Sequence, residues 1–240
     1  MMGGPRASAT TEPLLVYAAA DLQFALGDVA AAFAAEGHPR PTLTFGSTGL
    51  LSRQIENGAP ADLLFAADEH FVAALGAQDL LLPGTSRTYA VGRLALVERA
   101  GLAPLTTLDD LRRPDIRTIA IANPEHAPYG QAAREALRTA GVWPDISAKI
   151  VLGENITQTF RFVQTGNADA GLVALSVVLG APGTRYSLVD TSLHSPLVQA
   201  VAILRRTKQP QLATAFLDYT LGPRGRAILA RYGFAPPADR

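Results

Sequence analysis

Short apolar runs and amphipathic segments alternate along the chain from residue 14 onward, with turn residues between them. The first apolar run, 14–20, has strand character, and the segment 21–35 that follows it repeats its apolar residues at helical spacing. The same order of strand and helix returns several times, most clearly at 42–56, 117–140 and 149–165. This alternation predicts an α/β protein with mostly parallel sheets flanked by helices.

Two longer apolar segments, 89–97 and 197–204, are predicted as strands that can carry the chain from one lobe to another and back. We therefore expect a discontinuous first lobe, 14–90 and 202–236, and a second lobe, 91–201. Residues 1–13 are rich in small residues and have no apolar centre, so they are predicted to be a flexible lead-in rather than an intact signal peptide.

The composition narrows the class of protein. Of 240 residues, 48% are hydrophobic and 18% are charged, which excludes a disordered chain. The 21 basic and 21 acidic residues balance, which argues against binding to nucleic acid or to an acidic membrane surface. There is no cysteine, so thiolate metal sites are excluded, and no apolar run approaches the roughly 20 residues of a membrane span.

Motifs for catalysis are missing from the sequence. There is no G-x-S-x-G turn, no phosphate-binding G-x-x-x-x-G-K-[ST] loop and no H-E-x-x-H metal motif. The four histidines are scattered at spacings that match no metal site. The adjacent pair Glu125 and His126 is expected to point in different directions on a loop, so the sequence predicts no catalytic residue and no metal cation.

One type of junction is repeated. At 19–21, 46–49, 128–130 and 154–156 an apolar strand passes through a short turn of small or polar residues into a helix. Such turns gather at the carboxyl edge of a parallel sheet, and each helix start exposes unpaired N–H groups and a partial positive charge. Any one of these turns is more often an ordinary connection, but several aimed at one point would form an anion site without a basic residue.

The residues at these junctions carry a resemblance to a known family. The strings are YAAADLQFAL at 17–26, FGSTGLLSRQIENGAPADL at 45–63, NPEHAPYG at 123–130, GPRG at 222–225 and RYGF at 231–234. In this order they resemble the molybdate-binding proteins of bacterial ABC importers, over nearly the whole chain.

The resemblance implies a type II periplasmic-binding-protein fold with two lobes and a tetrahedral oxyanion, molybdate or tungstate, held between them. It implies that the protein needs no cofactor, that its partner is a membrane permease and that it works in the periplasm or another extracytoplasmic location. It also implies a monomer that binds no nucleic acid and has no membrane span. Carried over by position, the ligand contacts fall on Asp21, Ser47, Thr48, Tyr129 and the backbone of Ile156, with Ala20 and Asn155 as weaker candidates.

Asp21 departs from the family pattern, which commonly has a hydroxyl or an amide there. Two unit charges 4 Å apart repel by about 4 kcal/mol at an effective dielectric constant near 20, so an ionised carboxylate beside a dianion needs an explanation. The side chain can turn away and cap its own helix, it can accept a hydrogen bond from a protonated oxygen of the ligand, or it can itself be protonated. We favour capping, because Asp is a preferred N-cap residue.

Three other functions stay open at this point. The same fold can bind a different, protonated oxyanion such as phosphate or arsenate, selected by Asp21. An enzyme on the two-lobed fold is possible in principle, although no nucleophile and base are paired in the sequence. A ligand-sensing domain of a regulator would need a basic recognition helix, and the sequence has none.

Overall fold

The computed structural model describes residues 12–237; residues 1–11 of the predicted lead-in lie outside this range. The strands are β1 Leu15–Ala19, β2 Thr42–Gly46, β3 Leu63–Ala66, β4 Arg87–Gly92, β5 Leu94–Glu98, β6 Ile119–Ala122, β7 Ile150–Gly153, β8 Ala170–Ala174, β9 Tyr186–Leu188 and β10 Leu197–Ile203. The helices are α1 Gln23–Ala35, α2 Thr48–Glu56, α3 Glu69–Ala77, α4 Pro128–Thr139, α5 Trp143–Ile146, α6 Ile156–Gln164, α7 Leu175–Leu179, α8 Pro210–Leu221 and α9 Pro223–Arg231. No helix in the described part of the chain is long and apolar enough to cross a membrane.

The strands form two five-stranded sheets, in the orders β2-β1-β3-β10-β4 and β7-β6-β8-β5-β9. In the first sheet β1 runs parallel to β2 and β3, while β10 runs antiparallel to β3 and β4. In the second sheet β6 runs parallel to β7 and β8, while β5 runs antiparallel to β8 and β9. The predicted two-lobed α/β class is confirmed, and both sheets are mixed because the strands near the crossings run against the βα units.

The chain crosses between the sheets close to the two predicted places. The expected single strand at 89–97 is two strands, β4 and β5, which lie in different sheets on either side of Arg93. Strand β10 pairs with β3 and β4, so residues 197–201, which the sequence assigned to the second lobe, belong to the first sheet. At both crossings the strands on either side are buried, so the sequence stays apolar where the chain passes from one sheet to the other. Hydropathy alone therefore did not locate the crossings.

Each lobe has its own apolar core. In the first lobe Phe33 of α1 packs edge-on against Phe216 of α8, with ring centroids 5.2 Å apart, and Phe65 of β3 lies beside the same ring. All three side chains are buried, and burial of a large apolar side chain contributes about 1.5–3 kcal/mol. The C-terminal helices α8 and α9 therefore complete the first lobe, although the second lobe precedes them in the chain.

Candidate anion-binding site

A small cavity lies between the lobes where several strands end. Its volume is about 210 Å³ even when the space open to solvent is counted, which is below the roughly 300 Å³ where sites for organic ligands begin. The lining residues come from both lobes and are Ala19, Ala20, Asp21, Gly46, Ser47, Thr48, Ala67, Ala127, Pro128, Tyr129 and Ile156. The size favours an inorganic ion as the ligand.

Three helices begin at the cavity wall: α2 at Thr48, α4 at Pro128 and α6 at Ile156. The N–H groups of a first helical turn have no partner within the helix, and the helix dipole adds a partial positive charge there. Pro128 has no N–H, so Tyr129 provides the first donor of α4. The arrangement can supply donors from both lobes to one small anion.

Local sequence explains why each helix begins where it does. Ser47 has an extended backbone at the N-cap of α2, and Pro128 at the first position of α4 has its φ angle preset for a helix. Asn155 caps α6, since its side-chain oxygen accepts a hydrogen bond of 3.0 Å from the N–H of Gln158. Asn155, a weaker sequence candidate, is therefore used as a cap and does not line the cavity, whereas the other six candidates do.

The hydroxyl of Thr48 is oriented by the backbone. Its Oγ1 accepts a hydrogen bond of 3.0 Å from the N–H of Ala67, and both residues line the cavity. The hydroxyl accepts this hydrogen bond with one lone pair, so its O–H is still free to donate to an acceptor in the cavity. Thr48 is 1% exposed and lines the cavity, so its hydroxyl is shielded from bulk solvent.

None of the residues that line the cavity is a lysine or an arginine. Arg53, the basic residue one turn into α2, donates from Nε to the carbonyl of Gly49 at 3.3 Å. Nor do the described residues contain a cluster of three His, Asp or Glu side chains that could hold a metal ion. The attraction for an anion must therefore come from N–H and O–H donors and from helix dipoles.

Asp21 does not cap a helix, so the favoured expectation was wrong. It lies in a 3₁₀ turn, Ala20–Leu22, that has no side-chain cap, and its carboxylate Oδ2 accepts a hydrogen bond of 2.6 Å from Nε2 of Gln199. The side chain turns toward the crossing strands because β10 offers this amide donor. Burial raises the pKa of Asp21 from its ordinary 3.8 to about 6, although the hydrogen bonds from Gln199 and Tyr129 lower it in part.

Asp21 belongs to a buried polar group that we call the hinge cluster, defined by Asp21, Tyr89, Tyr129 and Gln199. Gln199 Nε2 also bonds to the hydroxyl of Tyr129 at 3.1 Å, and the hydroxyl of Tyr89 donates to Gln199 Oε1 at 2.5 Å. Tyr129 comes from the second lobe and the other three residues come from the first. The cluster lies next to Gly92, where β4 ends and the chain crosses.

Sequence reasoning missed Gln199 and Tyr89. Gln199 is the one polar residue within the apolar run 197–204, and an amide at such a position needs buried hydrogen-bond partners. That pattern was the available signal, but it does not say which partners the amide has. Tyr89 carried no comparable signal, since tyrosine is common in strands.

The lobes also touch at the rim of the cavity, in a set that we call the rim contact: Ser47, Gly49 and His126. Ser47 Oγ lies 2.7 Å from His126 Nδ1, and the N–H of Gly49 donates to the carbonyl of His126 at 2.9 Å. Two further hydrogen bonds join the lobes, from the Thr157 hydroxyl to the carbonyl of Ala20 at 3.1 Å and from the Ser176 hydroxyl to the carbonyl of Asp21 at 2.7 Å. The lobes are therefore closed around the cavity.

A larger depression on the second lobe is a weaker candidate for a functional site. It is lined in part by Glu98, Arg99 and Arg185. Its charged groups are already paired, because Arg185 binds Glu98 at 2.8 Å and Arg99 binds Asp169 at 2.7 Å. Paired charges of this kind hold loops together and offer little to a ligand.

The fold and the site together define a class: a two-lobed binding protein with a small cavity between its lobes, at which helix N-termini from both lobes meet. Comparison with known proteins agrees with this class. The family model of the bacterial extracellular solute-binding proteins matches residues 14–235, and the chain belongs to that family.

The similar proteins include several that bind molybdate. The molybdate-binding protein ModA of Azotobacter vinelandii is 34% identical, over 91% of this chain and 88% of that protein. ModA of Rhodobacter capsulatus is also 34% identical, over 80% of this chain and 76% of that protein. The solved structure of the periplasmic molybdate-binding protein of Azotobacter vinelandii superposes with a TM-score of 0.87 at 31% identity, covering 93% of this chain and 99% of that one.

Proposed function

We propose that the protein captures molybdate or tungstate between its lobes and delivers the anion to the membrane permease of an ABC importer. The observation that carries the proposal is the meeting of three helix N-termini, those of α2, α4 and α6, at one cavity without a basic residue. The names of the molybdate-binding relatives support the same ligand. The oxyanion is cargo rather than a cofactor, and the site of action is extracytoplasmic, in the periplasm where the organism has one.

The proposed ligand contacts are the first N–H groups of α2, α4 and α6, the Thr48 hydroxyl and Asp21. We further propose that the lobes close about the two crossings, at Arg93 and just before β10. An anion that touches both lobes would stabilise the closed form, because it binds that form better than the open one. Binding to the permease as a monomer stays a prediction.

Calorimetry with molybdate, tungstate and sulfate tests the proposal. We expect tight binding of the first two anions and far weaker binding of sulfate, because donors fixed at helix ends cannot move inward around a smaller tetrahedron. The variant Thr48→Val should weaken molybdate binding by about tenfold or more, since a hydrogen bond to a charged group contributes about 1.5–3 kcal/mol. Thr48→Ser keeps the hydroxyl and is the matched control. Equal affinity for sulfate and molybdate would contradict the proposal.

A protonated oxyanion such as phosphate or arsenate is the second candidate ligand. The specific observation in its favour is Asp21 Oδ1, which is buried and has no hydrogen-bond partner among the described residues. An ionised carboxylate can accept a hydrogen bond from a ligand that brings its own proton. Adding phosphate to the same calorimetry series distinguishes the candidates, because tighter binding of phosphate than of molybdate would favour this alternative.

Catalysis is not part of the proposal. Ser47 and His126 are the one hydroxyl–imidazole pair at the cavity among the described residues, at 2.7 Å. The ring comes from the opposite lobe and its own backbone carbonyl is bound by Gly49. This geometry explains the pair as a contact that holds the lobes together, and the family to which the chain belongs consists of solute-binding proteins.

A further inference from the structure

Asp21 presents a buried acidic oxygen to a site proposed for a dianion. The residue is 1% exposed and lines the cavity. Its Oδ2 accepts the amide of Gln199, whereas Oδ1 is buried without a hydrogen-bond partner in the described part of the chain. A buried polar atom without a partner is costly, and so it indicates a group that completes its hydrogen bonding only when a ligand is present.

The hydrogen bonds of the hinge cluster determine which oxygen can carry a proton. The hydroxyl of Tyr89 donates to Gln199 Oε1, which fixes the orientation of the amide. Gln199 Nε2 must therefore point its two hydrogens at Asp21 Oδ2 and at the hydroxyl of Tyr129. Oδ2 is occupied as an acceptor, so a proton on this carboxyl group belongs on Oδ1, the oxygen without a partner, in a residue that lines the cavity.

No cation among the described residues compensates an ionised Asp21. The groups that face it are the phenols of Tyr89 and Tyr129, the amide of Gln199 and the backbone N–H groups of Asp21 and Leu22. Burial, which is the largest cause, raises the pKa of both phenols well above the ordinary value, so they stay neutral. The charged residues on the elements packed around Asp21 are engaged or exposed elsewhere: Asp28 on α1, Arg87 on β4, Arg134, Glu135 and Arg138 on α4, and Arg161 on α6. α7, β2 and β10 carry no charged residue.

We infer that Asp21 binds the anion as a neutral carboxylic acid whose Oδ1–H donates to an anion oxygen, so that capture of a dianion takes up one proton from solvent. The inference rests on the proposed function. It replaces a repulsive contact between like charges by one more donor. It also makes Asp21 a specificity-determining residue, since the ligand must offer an oxygen that carries no proton and can accept a hydrogen bond.

The pKa of Asp21 in the closed protein, about 6, means that most molecules have lost this proton at neutral pH before the anion arrives. Binding must then restore it. Linkage requires the affinity for the dianion to fall by about tenfold for each pH unit above 7, while it levels off below pH 6. His126, which contacts Ser47 at the rim, has its pKa lowered by burial and by Arg53, so it is mostly neutral above pH 7 and contributes little to this slope.

The test is calorimetry of molybdate binding between pH 6 and pH 8.5, repeated in buffers with different ionisation enthalpies to count protons. We expect the unmodified protein to take up close to one proton at pH 7.5 and to lose affinity by about tenfold per pH unit above 7. Asp21→Asn, with a neutral amide donor, should bind without proton uptake and without this slope. Asp79→Asn, which removes a surface carboxylate paired with Arg205, is the matched control and should behave like the unmodified protein.

Each result has a definite meaning. Molybdate binding by the unmodified protein without proton uptake overturns the inference, and this measurement needs no variant to fold. Asp21→Ser provides a second neutral variant should the amide not fit. If phosphate binds more tightly than molybdate and this binding collapses in Asp21→Ser, Asp21 accepts a proton that the ligand carries, which also overturns the inference. If no tetrahedral anion binds at any pH, the proposed function itself is wrong.

Discussion

The two places where the lobes meet across the cavity differ in depth and in the groups that they use. The hinge cluster is buried and joins side chain to side chain, with Gln199 binding both Asp21 and Tyr129. The rim contact is partly exposed and relies on the backbone, through the bond from Gly49 to His126. Water can reach the partly exposed rim while the lobes are closed, whereas the groups of the hinge cluster are buried in the closed form.

This difference gives the two contacts different roles. Removal of one partner from a buried network costs about 1–3 kcal/mol for each group left without a hydrogen bond, whereas a bond that water can replace contributes about 1 kcal/mol. We therefore expect the hinge cluster to determine the charge state and the closing geometry, and the rim contact to adjust the affinity.

The largest expected effect is on the pH dependence of stability. The folded protein raises the pKa of Asp21 from 3.8 to about 6, mainly through burial, so the folded state holds this proton more tightly than the unfolded state does. The free energy of unfolding should therefore fall as pH rises from about 4 to 6. Above pH 6 the ionisation of Asp21 should cause no further loss. At about 1.36 kcal/mol per pH unit the loss is about 3 kcal/mol.

Urea unfolding of ligand-free protein at pH 4 and pH 7.5 measures this loss. Other groups titrate in the same range, so the quantity to compare is the difference between Asp21→Asn and the unmodified protein. The variant has no carboxyl group, and its advantage should grow by about 2.5 kcal/mol between the two pH values. A difference that does not change with pH would show that Asp21 is not held in an apolar environment.

The fold was largely predictable because its signals are local. Strand and helix alternate with the right periods, and helix starts such as Pro128 and ends such as Gly222–Pro223 carry their own markers. Most candidate site residues lie at such helix starts, which is why a reading of the turns brought Thr48, Tyr129 and Ile156 to one cavity.

The remainder depends on contacts between distant parts of the chain. Gln199 is 178 residues from Asp21 in sequence, and nothing local indicates that their side chains meet. The capping expectation for Asp21 failed for this reason: local propensity favoured a cap, and a donor on a strand of the same sheet competed successfully for the carboxylate. His126 is similar, since its contact with Ser47 exists only when the lobes are closed.

A methyl group at Gly92 should disturb the hinge cluster sterically. A Cβ there would lie 2.1 Å from the Tyr129 hydroxyl and 2.8 Å from Gln199 Nε2, so Gly92→Ala must displace the contact between the lobes. Overpacking of this kind costs about 1–3 kcal/mol, and molybdate affinity should fall by about 5- to 150-fold. Calorimetry gives the affinity, and solution scattering should show a larger radius of gyration in the presence of the anion.

Gly27→Ala is the control for this variant. Gly27 lies within α1 with nothing within 4 Å of an added Cβ, and alanine is favoured over glycine inside a helix. Its molybdate affinity should stay unchanged. Unchanged affinity in Gly92→Ala as well would mean that the close contact between β4 and Tyr129 is not required for closure.

The smallest expected effect is at the rim, where a double-mutant cycle separates two roles of Ser47. If Ser47 acts only through His126, Ser47→Ala should weaken molybdate binding by about fivefold, equivalent to about 1 kcal/mol, and should have no further effect in a His126→Ala background. A loss that persists in that background would mean that Ser47 contacts the anion directly. The rim contact would then share the ligand-binding role that we assign to the deeper wall of the cavity, and the division between the two contacts would fail.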